Sequence, residues 1–279
     1  MVTHLQSRAA PMIRTRLPYV WSLSEDLDVL GKLDTSQPID RLDLMLALYG
    51  PQAALEGLLS NSVFSQSLRS SLLLADQLLK KLHEHTGREN YDGVAAGFEL
   101  AGLKYAYEQF KIAFLSELGT LPSYFVSQKG SHDTLTLLDD PLRMFPDALL
   151  EKVPEAAFDV AQAGKALCYE MATACGFHLF RVTEAVLRRY YSHVTNGSTQ
   201  PKVRNIMVYV QAMRQKKCGN EKILSVVEQM SKLHRNPLIH PEVALTIDEA
   251  ISVLGIAHSA VTAMLAELPE LPKTTASVQ

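Results

Sequence analysis

Chemistry in this chain is concentrated in Leu233-His234-Arg235-Asn236-Pro237-Leu238-Ile239-His240-Pro241-Glu242. Arg235 offers a planar, always-charged fork that matches a phosphate. His240 can give or take a proton near neutral pH. On an ideal helix two residues five positions apart point about 140° away from each other, so they would not meet. Pro237 and Pro241 change that expectation: each removes a backbone donor and disfavours helical geometry at the residue before it. Guanidinium and imidazole can then converge where a helix ends. On residue types alone a second reading stays open, in which Arg235 caps a helix C-terminus and His240 is a packing residue at the junction.

Other constellations carry less. Ser131-His132-Asp133 holds the three residue types of a hydrolase triad, but sequence neighbours cannot stack side chain to side chain in that relay. Cys168, Cys175 and His178 lack the paired spacing of a structural zinc site and read as buried thiols and a helix-face histidine. No phosphate-cradling glycine loop, dinucleotide fingerprint or H-E-x-x-H helix is present in the 279 residues. The reading therefore calls for no cofactor and no metal.

The net charge is -3, which argues against a protein that coats nucleic acid over its whole surface. Yet between Arg181 and Arg235 eleven basic residues face three acids, Glu184, Glu221 and Glu228. That stretch is either a set of solvated helix faces or a polyanion-binding surface, with Arg214, Lys216 and Lys217 as its candidate RNA contacts. Three cysteines cannot complete a disulfide framework, and the first 16 residues lack the apolar core of a signal peptide. A cytoplasmic setting is expected, with no membrane partner.

The elements that must position these residues are helical. Ser22 to Leu33 and Asp40 to Leu59 read as helices, the second interrupted at Gly50-Pro51. Ser65 to His85 and Tyr91 to Leu118 follow with apolar residues three and four apart, as an antiparallel pair requires. Tyr124 to Ser127 and Thr134 to Leu138, around Gln128-Lys129-Gly130, are expected as a small β-hairpin or extended linker. Pro141, Pro146 and Pro154 place the boundary between two halves near residue 150. Beyond it helices are expected over Glu155 to Glu170, Met171 to His193, Lys202 to Lys216 and Glu221 to His234. A last helix follows a capping box at Thr246-Ile247-Asp248-Glu249 and stops before Pro269. Glu184 and Arg188 stand as an i,i+4 acid-to-base pair, and Asn196-Gly197 as a turn. The fold class expected is all-α: a helical region at 1-149, a helical bundle at 150-267 and a flexible tail at 268-279.

Arg235 and His240, with polar Asn236 after the arginine, resemble the R-x4-6-H motif of the HEPN superfamily. The helix carrying Phe177-His178-Leu179-Phe180-Arg181-Val182-Thr183-Glu184 and the closing helix from Thr246 to Leu265 extend the resemblance over roughly 150 to 267. The run from Tyr124-Phe125-Val126-Ser127 to His240-Pro241-Glu242 is similar to an uncharacterised bacterial branch of such proteins. The resemblance implies a small helical domain that dimerises, and Arg235 and His240 as a catalytic pair supported by Asn236. Glu184 is similar to an acid that some members hold near the pair, and it can equally serve as partner to Arg188 or Arg181. Where some relatives carry a nucleotide-accepting Tyr two residues after the motif His, this chain has Glu242. The activity implied is endoribonuclease cleavage, in a toxin or phage-defence setting with a cognate inhibitor protein. A non-catalytic module that binds RNA, a nucleotide or a protein stays open beside it.

Overall fold

The computed structural model describes residues 15–235 and 243–270. Among the described residues it is mostly helical, with 72% helix, eleven helices and one small two-stranded antiparallel sheet. The chain forms two compact units, one through Tyr124 and the other from Phe125 onward.

The first unit holds α1 (Leu17–Gly31), α2 (Arg41–Asn61), α3 (Ser70–Thr86) and α4 (Gly97–Thr120). The Asp40 carboxylate opens α2 by accepting from the backbone N–H groups of Leu42 and Asp43, donors that a helix start would otherwise leave unsatisfied. α2 runs straight through the expected break at Gly50-Pro51. Pro51 removes one backbone hydrogen bond, but Leu44, Leu48, Leu55 and Leu58 on the same helix are fully buried to either side of it and hold it in register. α4 starts later than the periodicity indicates. Asn90 accepts from the Asp92 N–H, Gly93 takes a positive φ of 87°, and Val94–Ala95 pairs with Ile39–Asp40. At the far end Glu117 of α4 reaches the start of α3, accepting from the N–H groups of Arg69, Ser70 and Ser71 and from the Ser71 hydroxyl. These four donors push its pKa down to about 2. They also fix α3 and α4 as the antiparallel pair expected from their stripes.

The second unit holds α5 (Thr134–Asp139), α6 (Ala148–Lys152), α7 (Ala157–Cys168), α8 (Ala172–Val194), α9 (Ile206–Gln215), α10 (Glu221–Met230) and α11 (Ile247–Glu267). Its division from the first falls ahead of the boundary placed near residue 150, because Leu137, Met144, Phe145 and Leu149 belong to the second core. Gly164 of α7 marks how close that packing is: a Cβ there would lie 2.7 Å from the Leu137 carbonyl oxygen. Of the two alternatives for this stretch the hairpin is not formed, and Tyr124 to Ser127 carry no regular secondary structure, as in the linker alternative. Lys129 and His132 make only an isolated bridge, and the second arm is helix α5, capped by Asp133, which accepts from Thr136. That cap beats the β-propensity of Thr134 to Leu138.

α8 is the axis of this unit, packed between α7 and α11 and reaching α9. Leu179, Val182, Val186, Leu187 and Tyr190 are fully buried on it, as are Val253, Ala257 and Val261 on α11. The Thr246 capping box is present, with Glu249 accepting from the Thr246 N–H at 2.7 Å and Thr246 from the Glu249 N–H at 3.3 Å. α11 is long and apolar enough to cross a membrane by composition alone; its buried face packs on α8. The Asn196-Gly197 turn ends α8, both residues holding positive φ.

Candidate active site

α10 does not stop at Met230. It continues as a π-helical turn, Ser231–Arg235, a wider winding that often marks a functional position. The turn delivers Arg235 to α8, where its Nη2 lies 3.0 Å from Glu184 Oε1, with only 24% of the arginine side chain and 14% of the glutamate exposed. Burial raises the Glu184 pKa, against the pull of Arg235, Arg188 and Arg181. Phe177, Phe180 and Arg181 close a small cavity of about 80 Å³ around the pair. A guanidinium carries five N–H donors, so the Glu184 contact leaves most of the fork available. Asn236 and His240 lie outside the described residues.

A larger, polar cleft of about 500 Å³ continues along α8 from the same two side chains, Arg181 and Glu184. Asp159 of α7 is buried there and accepts from Arg181 Nε at 2.7 Å, with His178 Nδ1 2.9 Å from the same oxygen. Arg189 makes a two-point contact with Glu155, at 2.8 and 3.2 Å, which lowers that carboxyl's pKa. Glu184 turns to Arg235, and no ion pair with Arg188 forms, contrary to the i,i+4 reading. Arg188 is the cation of the cleft that has no carboxylate partner among the described residues, and its buried Nε has no hydrogen-bond acceptor.

The basic segment is less free than its composition implies. Arg214 binds Glu221 and Glu228, each at 2.6 Å, and Lys232 shares Glu228, so its guanidinium ties α9 to α10. Lys216 and Lys217 follow the end of α9 and are exposed without an ion pair among the described residues. Sequence reasoning missed Asp159 and the unpaired state of Arg188, since the partners come from another helix; the one signal was an acid on α7 facing two basic residues on α8.

The discarded constellations are accounted for. Asp133 is an N-cap, and Cys175 is a buried thiol pushed up to about 12 by desolvation. His178 is held by Asp159. Among the described residues no cluster of three His, Cys, Asp or Glu could hold a metal ion. No protein-family model, curated protein or solved structure matches the chain.

Proposed function

We propose that the second unit is a HEPN-like endoribonuclease in which Arg235 and His240 act on one RNA phosphate. The observation that carries this reading is the seating of Arg235: the π-helical end of α10 brings the motif arginine to a small cavity on α8 beside a largely buried acid. That placement puts the guanidinium in a small cavity whose lining also includes Arg181, an arginine shared with the larger polar cleft.

RNA carries its own nucleophile, the 2′-hydroxyl, so its cleavage needs proton transfer and stabilisation of the charge that builds on phosphorus. Arg235 supplies the charge stabilisation through a planar fork, and Glu184 holds that fork in orientation. His240 serves as general base or acid. One histidine per chain leaves the opposite role open; a two-fold dimer bringing two copies of the pair into one cleft fills it. The products are a 2′,3′-cyclic phosphate and a 5′-hydroxyl. A toxin or defence role with a cognate inhibitor belongs to the same proposal.

The test is cleavage of mixed RNA by the purified chain in the presence of a chelator, beside His240→Ala. Loss in the variant supports the reading. Equal cutting by both proteins, or no cutting by either, overturns it in favour of a module that binds RNA, a nucleotide or a protein without reaction.

A further inference from the structure

The lining of the cleft along α8 is balanced, three arginines against three carboxylates, but one of those carboxylates is engaged by Arg235 from outside the lining. Asp159 is taken by Arg181 and His178, Glu155 by Arg189 and Glu184 by Arg235. Among the described residues Arg188 is left over, half-buried, with its Nε shielded from water and lacking an acceptor. A buried N–H without an acceptor is costly, and an anion beside this half-buried guanidinium offsets that cost.

Glu155, Asp159 and Glu184 line one part of the cleft as acceptors, and on the other side of Arg188 a chain of polar groups offers a donor. Ser192, one turn further along α8, accepts from Gln200 Nε2 at 2.7 Å, while Gln200 Oε1 accepts from the Tyr209 hydroxyl at 2.7 Å. Gln200 is thereby fixed at both ends of its amide, and the Ser192 hydroxyl, already serving as acceptor, has its hydrogen free to donate into the cleft. A guanidinium and a hydroxyl donor one helical turn apart suit a tetrahedral oxyanion. Glu184, the anchor of Arg235, is one turn of α8 before Arg188, about 6 Å along the helix axis.

We propose that Arg188 and Ser192 form a phosphate subsite that takes the RNA backbone phosphate adjacent to the one at Arg235, so that α8 is the track along which the strand lies. This rests on the RNA reading above but not on catalysis. Arg188 acts by binding the strand; Gln200 and Tyr209 are positioning residues that orient the Ser192 hydroxyl.

The test measures binding of a short single-stranded RNA to the full chain carrying His240→Ala, which removes turnover, over a range of salt. Adding Arg188→Gln is expected to weaken binding and flatten the log–log salt dependence by about 0.7, the value of one single-strand phosphate. Ser192→Ala should weaken binding several-fold with the slope kept. Arg189→Gln, whose arginine is already held by Glu155, should leave the slope unchanged. Thermal melts of each variant verify folding, and Arg188→Lys, which keeps charge but loses the fork, should restore the slope while binding more weakly than the parent. Parent-like affinity and slope in Arg188→Gln would overturn the subsite, as would absence of RNA binding by the parent. Arg188-dependent binding of 5′-AMP with the RNA slope unaltered would overturn the strand assignment. Cleavage by the unsubstituted chain is read separately: an Arg188-dependent slope without cutting keeps the subsite and removes the nuclease, whereas cutting with an Arg188-independent slope does the reverse.

Discussion

Removing Arg235 should destabilise the protein by an amount that rises with pH, and the structure bounds it. Arg235→Ala leaves the Glu184 carboxyl, 14% exposed, without the cation 3.0 Å away. The fold then has two options at Glu184: keep a desolvated carboxylate supported by Arg181 and Arg188, or take up a proton. Protonation sets the ceiling. Starting from the unperturbed value of 4.5, holding the carboxyl neutral at pH 7 costs about 3.4 kcal/mol, at about 1.4 kcal/mol per pH unit. At pH 5 the same ceiling is about 0.7 kcal/mol. The sign follows from linkage: a carboxyl with a raised folded-state pKa supports stability fully below its unfolded pKa and loses that support as pH rises through its folded pKa. The loss in Arg235→Ala, measured by urea unfolding at several pH values, should therefore be small near pH 5 and grow toward a limit of about 3 kcal/mol at pH 7. Arg235→Ala combined with Glu184→Gln should recover much of it at pH 7, because no buried charge remains. A pH-independent loss, or a double variant as unstable as the single one, would show that Arg235 acts through packing and that the ion pair is incidental.

Arg235→Lys retains a charge but not the fork, so RNA cleavage in chelator should fall substantially while the melting temperature stays near that of the parent; full activity would remove the bidentate role. Replacing Lys216 and Lys217 by Gln should flatten the salt dependence of RNA binding, whereas Arg214→Gln, which breaks the contacts to Glu221 and Glu228, should lower the melting temperature slightly and leave the slope alone. Sedimentation of the full chain should show a dimer at concentrations where it cuts RNA, and an active monomer would refute the shared cleft. Thr246→Ala removes the capping hydroxyl of α11 and should cost about 1 kcal/mol in chemical unfolding; an unchanged midpoint would mean Glu249 alone caps the helix.

The long helices were legible because their signals are local. Leucine spacing in α3, the capping box before α11 and the Asn-Gly turn after α8 each depend on residues a few positions apart. The failures are competitions between local signals. At Thr134 to Leu138 residues suited to a strand follow Asp133, and a satisfied N-cap decided for helix. At Pro51 a helix breaker lost to four buried leucines on one face. The boundary near residue 150 was inferred from prolines, which mark bends but do not show which core the residues between them join; Leu137 and Phe145 join the second.

The site was legible by residue type and not by partnership. Arg235 was found from its spacing to His240, but its carboxylate sits on a helix more than forty residues earlier, and no pattern within the motif points there. The same distance effect reverses the meaning of the basic segment. Counted along the chain, Arg181 to Arg235 is strongly positive; in the fold, Asp159 and Glu155, both outside that segment, neutralise Arg181 and Arg189, and internal acids take Arg214, Lys232 and Arg235. Charge density in sequence therefore overstates the field available to a polyanion, and among the residues that neutralisation passes over Arg188 is the one that lines the polar cleft. Arg188 reads as a paired cation, since Glu184 stands at the helix spacing of an ion pair. Because Glu184 is held by Arg235 instead, Arg188 keeps a charge in a polar cleft with a hydroxyl donor beside it. An anion site can thus arise from an ion pair that the sequence implies and the fold declines to make.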